Sequence, residues 1–262
     1  MASWKPCVLL TGKAERLAES MVSDVSFLLQ VSTSRLGQDP LTIDFSLHRW
    51  LARDREEAYS DWLKWVLEEL CTPLRVGYVL FGTDLPSQFR TCRDVCTVER
   101  EVWVEKGHEG RLGRLDLVVR FGDKIVIVIE VKVIGADSAD TVKQSGYREW
   151  IDRQPADFRS AILLAVGGEA QKEYEGFQLL LWETFCVRLR HCMSELTSEG
   201  RMISSALIAG FTGAAEQNLL GLPSLRRMEQ PRRPLLFMTQ LAKARSYLRC
   251  TLKGYGVADE PS

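Results

Sequence analysis

Two charged side chains interrupt a segment that otherwise predicts a buried strand. Glu130 and Lys132 lie within residues 124–134, KIVIVIEVKVI, a β-branched run typical of a central strand buried on both faces. Residues two apart on a strand point to the same face, so the two side chains lie side by side. Burying a carboxylate or an ammonium group is unfavourable unless the group is paired or bound to a metal. The pair therefore indicates either a salt bridge or a site of chemistry.

A third charged residue, Asp116, stands among apolar neighbours on the preceding predicted strand, residues 114–121, RLDLVVRF. The turn signal at residues 122–123, Gly-Asp, predicts that this strand forms a hairpin with the strand of Glu130. Asp116 can therefore lie beside Glu130, provided that the register of the hairpin allows it.

The length of the hairpin loop decides whether the carboxylates meet. A two-residue loop pairs Phe121 with Lys124 and leaves Asp116 on the opposite face from Glu130. A three-residue loop pairs Phe121 with Ile125 and places Asp116 opposite Glu130. We predict the three-residue loop, or an equivalent bulge, because only this register brings the carboxylates together.

Two neighbouring carboxylates repel each other, and a divalent cation relieves the repulsion. Carboxylate oxygens are the hard ligands that Mg²⁺ or Mn²⁺ prefers. Such an ion lowers the pKa of a bound water and polarises a phosphodiester, and the ammonium group of Lys132 can orient that water or stabilise charge on the phosphate. The alternative is a structural salt bridge between Glu130 and Lys132 or Arg114, with Asp116 near a strand end. An ExK pattern alone does not distinguish these readings.

Residues 99–150 resemble the core of the PD-(D/E)XK nuclease superfamily. Asp116 matches the acidic residue that ends the second core strand, and residues 130–132 match the (D/E)xK of the third. The sequence of residues 113–116, GRLD, looks like the GRxD form found in many branches. The proline that often precedes the first acidic residue is replaced by Leu115.

The helix predicted over residues 55–70 extends the resemblance, because many branches carry a glutamate on their first core helix. Glu56, four residues before Ser60, matches the E-x-x-x-S opening of that helix. At 100° per residue Glu56 shares a face with the apolar stripe, whereas Glu57 lies off it. The stripe includes Tyr59, Leu63 and Val66. The alternative is a charge that merely stabilises the N-terminus of the helix.

The resemblance implies a role for each matched residue. Asp116 and Glu130 would bind Mg²⁺ or Mn²⁺, with the carbonyl of Val131 as a further ligand. Lys132 would act on the nucleophile, and Glu56 would hold outer-shell water or a second ion.

Two further positions are implied by the same resemblance. Glu101, on the first predicted strand, would contribute to the metal shell, although Glu99 and Glu105 share its face and leave that choice open. Gln144 would help to position the lysine or the phosphate; with Tyr147 it resembles a QxxxY-like element, here spaced QxxY.

The element pattern predicts an α/β fold with a restriction-endonuclease-like core, a mixed central sheet flanked by helices, and extra N- and C-terminal helices. We expect an N-terminal helical extension over residues 1–50, the nuclease-like core over 51–222, and a basic C-terminal helix and tail over 223–262. The predicted strands are residues 97–105, 114–121, 124–134, 161–166 and 177–182. The predicted helices are residues 55–70, 138–152, 183–196, 202–219 and 234–252.

Composition restricts the function classes. The chain has 262 residues, a net charge of −1 and 26% charged residues, so attraction to phosphate must come from a local patch or a bound metal. Three histidines argue against histidine-based nuclease chemistry. No run reaches the roughly 18 apolar residues of a membrane span, and scattered cysteines suggest reduced thiols. We therefore expect a cytoplasmic protein without a signal peptide or a membrane partner.

The resulting hypothesis is a metal-dependent endonuclease, with DNA favoured over RNA although chemistry at the phosphate does not separate them. A homodimer would fit, since one active site cuts one strand, and the resemblance alone implies antiphage defence. The alternatives are an RNA-directed nuclease and a non-catalytic module that binds nucleic acid or protein. An intact Asp116, Glu130 and Lys132 argues against the non-catalytic module.

The basic residues near the C-terminus and the tryptophans favour a structural role over recognition of nucleic acid. Basic residues between 226 and 253 could follow a phosphate backbone, but a solvated helix surface is the favoured interpretation. Five tryptophans are predicted to pack in the core or between helices rather than to stack on bases. These are Trp62, Trp65, Trp103, Trp150 and Trp182.

Overall fold

The computed structural model describes most of residues 51–222 and short segments near the two ends of the chain. The described residues are 16–17, 19–21, 23–25, 27, 51–52, 54–105, 111–133, 141–167, 174, 176–222, 239 and 242–249, without the side chains of 111–112 and 141–145. The chain forms two compact units, residues 46–220 and residues 1–45 with 221–262.

A five-stranded mixed sheet organises the larger unit, in the order β1-β2-β3-β4-β5. Its strands are β1 (Cys96–Glu105), β2 (Arg111–Phe121), β3 (Ile125–Lys132), β4 (Phe158–Ala165) and β5 (Gln178–Leu181). The first three strands are antiparallel, whereas β4 is parallel to both β3 and β5. The predicted α/β class and mixed sheet are confirmed.

Six helices accompany this sheet among the described residues of the larger unit. They are α1 (Glu56–Leu70), α2 (Pro73–Phe81), α3 (Ser87–Thr91), α4 (Thr141–Asp152), α5 (Trp182–Ser198) and α6 (Met202–Asn218). No helix within the described residues is long and apolar enough to cross a membrane.

Strand β3 is buried along its length because helices cover both faces of the sheet. Val126 and Val128 pack in one apolar cluster with Tyr147 of α4. On the opposite face, Phe89 of α3 makes an edge contact with Phe121 at a ring-centroid distance of 6.1 Å. This double coverage explains the almost continuous β-branched composition of β3.

Helix α1 is attached to the edge strand β1 by side chains that bind its backbone. Lys64 Nζ donates to the carbonyl of Val98 at 2.6 Å, and the Val98 amide donates to Glu68 Oε1 at 3.3 Å. These hydrogen bonds satisfy a backbone carbonyl and a backbone amide at the edge of the sheet, which would otherwise be free to pair with another strand. They also hold the helix that carries Glu56 against the sheet.

Aromatic contacts fix the other side of α1 against α5 and α6. The ring centroids of Tyr59 and Trp182 are 5.5 Å apart, and those of Trp182 and Phe211 are 6.3 Å apart. Arg190 and Glu216 join α5 to α6 through a buried ion pair, with 2.6 Å between Nε and Oε1. Helix α1 is therefore held on two sides.

Two helices were not predicted, although the sequence carries a clear start signal for the first of them. Helix α2 begins with Pro73 after Thr72, whose hydroxyl accepts from the Arg75 amide at 3.3 Å. Proline at the first position and threonine before it are ordinary signals of a helix start. Five residues separate the end of α2 from the start of the short helix α3.

The smaller unit contains helical residues between 16 and 27 and between 242 and 249. Asp24 and Arg245 form an ion pair, with 2.5 Å between Oδ2 and Nη2. The two terminal segments, which were predicted to be separate extensions, are thus joined. Of the basic residues between 226 and 253, Arg226, Arg227, Arg232, Arg233 and Lys253 lie outside the described residues.

Gly113 allows Tyr147 to approach β2, since a Cβ atom at this position would lie 2.5 Å from Tyr147 Oη. We expect Gly113→Ala to lower the free energy of unfolding by about 1–3 kcal/mol, the usual cost of overpacking. Tyr147→Phe removes the clashing oxygen and leaves ring atoms 3.3 and 3.4 Å away. The double variant should therefore be less destabilised than the sum of the two single variants in urea unfolding.

Gly167→Ala is the matched control, because no atom lies within 4 Å of a Cβ at that position. Simple additivity of Gly113→Ala and Tyr147→Phe would contradict the proposed contact.

Candidate active centre

The hairpin between β2 and β3 has the predicted three-residue loop. Phe121 pairs with Ile125, and the register continues to Leu117 opposite Ile129. The next pair in the same register is Asp116 and Glu130. The prediction that the loop brings these positions together is confirmed.

The Asp116 side chain takes the place of a backbone hydrogen-bond acceptor where the pairing of β2 with β3 ends. Its Oδ2 accepts a hydrogen bond of 2.8 Å from the amide of Val131. A side-chain oxygen thus satisfies a buried strand amide, which fixes the Asp116 carboxylate against β3. Burial raises the pKa of Asp116, although the Val131 amide and the charge of Lys132 oppose the shift.

Glu130 is the buried acid of the site that has an oxygen without a described hydrogen-bond partner. It is 5% exposed, and its Oε1 has no hydrogen-bond partner among the described residues. Burial, followed by repulsion from Asp116, raises the pKa of Glu130 well above its usual range, although the charge of Lys132 partly opposes this. The two acids therefore favour one shared proton, or a cation, over two negative charges.

Lys132 is held by Glu56, which lies at the first position of α1. Its Nζ donates to Glu56 Oε1 at 2.8 Å. Burial alone would lower the pKa of Lys132, but the hydrogen bond and charge of Glu56 outweigh burial and raise it. The indole of Trp182 donates to the Lys132 carbonyl at 3.1 Å and fixes the backbone there. Lys132 is thus a positioned, permanently charged ammonium group.

The helix carboxylate at the site is Glu56, whereas Glu57 is exposed. The salt bridge of Lys132 is made to Glu56 and not to Glu130, and Arg114 pairs with Glu101. The structural alternative, in which Glu130 is neutralised by Lys132 or Arg114, therefore does not describe this arrangement.

Glu101 adopts an unusual backbone conformation beside Asp116. Its φ is +53°, which L-residues rarely adopt, and it stands between the paired positions Arg100–Leu117 and Val102–Leu115. Its Oε2 accepts from Arg114 Nη1 at 2.6 Å. Backbone strain of this kind tends to occur at functional sites, where the surrounding structure supports it.

The remaining predicted positions lie around this centre. Glu99 binds Arg120 at 3.3 Å, and Glu105 is exposed at the end of β1. Gln144 belongs to α4, but its side chain lies outside the described residues, so its role stays a prediction.

Two tyrosines share the environment of the carboxylates. Burial and the charges of Glu130 and Asp116 raise the pKa of Tyr147. Burial raises the pKa of Tyr174 to about 12, although the charge of Lys132 opposes the shift. Tyr174 was not predicted, because it lies outside the helices and strands and no local pattern marks it. Both phenols stay neutral and can donate hydrogen bonds.

Asp116 and Glu130 suit a hard divalent cation. An unpaired, buried Glu130 oxygen beside a second acid is where such an ion would relieve both desolvation and repulsion. No group of three or more His, Cys, Asp or Glu in the described residues could hold a metal ion. Two protein carboxylates are nevertheless sufficient for Mg²⁺, which usually keeps several waters and binds through one or two carboxylates.

In comparisons with known proteins, no family model matches the chain, and no curated protein or solved structure matches it significantly. The chemistry of the site therefore has to be argued from its own residues.

The raised pKa of Glu130 predicts how the stability of the metal-free protein depends on pH. A raised pKa means that the folded state holds the proton more tightly than the unfolded state. This stabilisation is complete below the pKa of the unfolded state, about 4.3 for glutamate. It is lost as the pH rises through the pKa of Glu130 in the folded state. Glu130→Gln should therefore raise the Tm in EDTA at pH 8 more than at pH 5.

The expected increase at pH 8 is a few degrees, because about 1 kcal/mol changes the Tm of a chain of this size by roughly 2–4 °C. The exposed Glu57→Gln serves as the matched control. A difference in Tm between Glu130→Gln and wild type that stays constant from pH 5 to pH 8 would contradict the assignment.

Proposed function

We propose that this protein is a metal-dependent nuclease of the PD-(D/E)XK type that hydrolyses phosphodiester bonds, with DNA as the favoured substrate. The observation that carries the proposal is the convergence of Asp116 and Glu130, both with raised pKa values, beside an ammonium group. A buried carboxylate oxygen without a hydrogen-bond partner is unfavourable for stability alone and needs a chemical explanation.

Asp116 and Glu130 would hold Mg²⁺ or Mn²⁺. When bound, this ion supplies a water of lowered pKa and polarises the phosphate. The Val131 amide holds Asp116 Oδ2, so Asp116 Oδ1 and the unpaired Oε1 of Glu130 would be the oxygens available to the ion. The carbonyl of Val131 remains a proposed third ligand.

Lys132 stabilises charge and does not accept a proton. Its raised pKa keeps it protonated at neutral pH, so it cannot serve as a general base. A fixed ammonium group suits the negative charge that develops on the phosphate oxygens as the nucleophile attacks. Glu56 keeps this ammonium group in place, which makes Glu56 a positioning residue.

The order of elements supports a restriction-endonuclease-like core. A helix that carries a glutamate precedes three antiparallel strands, the acid lies on the second strand, the ExK lies on the third, and a helix and a parallel strand follow. This is the arrangement that the resemblance implies. The cytoplasmic location, the homodimer and the role in antiphage defence remain proposals that rest on the sequence.

The competing proposal is a non-catalytic module on the same fold. The ion pair between Lys132 and Glu56 favours it, because a salt bridge can be purely structural. That ion pair does not account for Glu130, whose buried Oε1 has no described partner. We therefore favour the nuclease.

A cleavage assay with plasmid, linear duplex, single-stranded DNA and structured RNA tests the proposal. We expect cleavage in Mg²⁺ or Mn²⁺ but not in EDTA. Asp116→Ala and Lys132→Ala should each lower kcat by roughly 10²–10³-fold, the typical loss when one transition-state contact is removed. Asp123→Ala is the matched control, because this exposed acid lies in the hairpin loop, at the opposite end of β2 and β3 from Asp116 and Glu130.

Cleavage that persists in Asp116→Ala at the wild-type rate, or that survives EDTA, would point to a contaminant or to another mechanism. Absence of cleavage together with absence of metal binding in calorimetry would favour the non-catalytic module.

Glu56→Gln tests the proposed state of Lys132. Glu56 raises the pKa of Lys132 above its ordinary value of 10.5, whereas burial lowers it. Without the charge of Glu56, we expect kcat/KM to fall as the pH rises from 8 to 10, while wild type stays level there. Glu57→Gln should behave like wild type. A Glu56→Gln profile with the wild-type shape would contradict the role of Lys132 as a charged group.

A further inference from the structure

Tyr174 has a buried phenol whose hydroxyl has no hydrogen-bond partner among the described residues. The residue is 9% exposed and belongs to the apolar cluster that α4 covers. None of the charged groups that shift its pKa forms a hydrogen bond with the hydroxyl. A buried tyrosine hydroxyl usually has a partner, because an unpaired donor loses its bonds to water without replacing them. The Tyr174 hydroxyl is therefore a candidate for binding a ligand.

The cluster that contains Tyr174 lies on the face of the sheet from which Glu130 and Lys132 project. Val128 of β3 belongs to this cluster, and residues two apart on a strand share a face. Ala165 of β4 is another member, and it pairs directly with Lys132 in the sheet. Tyr174 is thus on the same side of the sheet as the candidate active centre.

The charged groups of the centre act on the Tyr174 hydroxyl. Burial contributes most to the raised pKa of Tyr174, and the ammonium group of Lys132 opposes the shift. The carboxylates of Glu130, Asp116 and Glu56 add to it in that order. Because the interaction of two charges weakens with distance, a hydroxyl that responds to all four groups lies close to the centre that they form.

The segment around Tyr174 is fixed in place by α4 and by its own turn. The Phe177 amide donates to the Tyr174 carbonyl at 3.1 Å, and the two rings make an edge contact with 5.6 Å between their centroids. Arg148 of α4 donates to the Gly176 carbonyl at 3.3 Å. The phenol is therefore already oriented, so little further ordering is needed when it binds a ligand.

We propose that Tyr174 is a further catalytic residue, whose phenol donates a hydrogen bond to a non-bridging oxygen of the phosphate that is cleaved. This inference rests on the proposed nuclease function and adds a residue to that site. The ammonium group of Lys132 draws an anion to this place, and a neutral phenol suits the negative charge that develops on the phosphate oxygens. The phenol keeps its proton throughout, so it only stabilises charge.

The alternative is a tyrosine that only fills the cluster and whose hydroxyl faces water. The two interpretations differ in what the loss of one oxygen does. Tyr174→Phe keeps the ring and its contact with Phe177, so a purely structural role predicts unchanged catalysis. A hydrogen bond to the phosphate predicts slower catalysis by a protein that is otherwise intact.

Cleavage kinetics of Tyr174→Phe in Mn²⁺ test the proposal, on whichever of the four nucleic acids the wild type cleaves fastest. We expect kcat to fall by roughly 10–100-fold, the range for one hydrogen bond to a charged group. KM, and the affinity for Mn²⁺ in calorimetry, should stay at the wild-type values, because the contact forms only as charge develops.

Tyr78→Phe is the matched control, because it also removes one phenolic oxygen. Tyr78 lies on α2, and its hydroxyl contacts His191 of α5. This variant should cleave like wild type. A kcat of Tyr174→Phe equal to that of wild type, or a loss equal to that of Tyr78→Phe, would overturn the proposal.

Sulfur substitution in the substrate locates the hydrogen bond. Each non-bridging oxygen at the mapped cleavage position is replaced by sulfur, a weaker hydrogen-bond acceptor, in two separate diastereomers. One diastereomer should slow wild type more than it slows Tyr174→Phe, because the variant has already lost the hydrogen bond. Effects on the metal ion occur in both proteins and cancel in this comparison. Equal slowing of the two proteins by both diastereomers would overturn the proposal.

The failure of this inference differs from the failure of the proposed function. If Tyr174→Phe cleaves at the wild-type rate while Asp116→Ala is inactive, the role of Tyr174 is wrong and the nuclease assignment stands. If wild type shows no metal-dependent cleavage of any of the four nucleic acids, both are wrong.

Discussion

A carboxylate enclosed by a β-sheet loses the hydration that stabilises its negative charge, and Glu130 is in this position on β3. A neighbouring Asp116 increases the cost, because two buried negative charges repel each other. The protein can hold both acids only with a shared proton or a bound cation. The nearby ammonium group of Lys132 reduces the repulsion but is itself bound to Glu56, so it does not remove the need for a counterion.

The surrounding structure holds these groups in place. The three-residue loop sets the register that aligns Asp116 with Glu130, and the Val131 amide then orients the Asp116 carboxylate. Helix α1 brings Glu56 to Lys132 because its side chains bind the edge of β1 and its aromatic residues pack against α5 and α6. The strained backbone of Glu101 lies where β1 passes Asp116. Tertiary packing thus maintains a local arrangement that is unfavourable by itself.

The core of the site could be predicted from the sequence because it depends on two fixed periods. The two-residue period of a strand and the loop length relate Asp116 to Glu130, and the 3.6-residue period of a helix selects Glu56 over Glu57. Helix α2 could also have been predicted, since Thr72 and Pro73 mark its start. The exposure of Trp103, which was predicted to pack but is 47% exposed, and the positive φ of Glu101 could not. Both depend on which parts of the sheet the helices leave uncovered and on how β1 bends, and neither is encoded in local periodicity.

We propose above all that Asp116 and Glu130 share one divalent cation. Anomalous diffraction from a crystal soaked in Mn²⁺ measures this directly. We expect one strong peak between the two side chains, with a carboxylate oxygen of each at about 2.1 Å, and no such peak in a crystal of Asp116→Ala. A peak elsewhere, or Mn²⁺-soaked crystals without a peak at Glu130, would contradict the account.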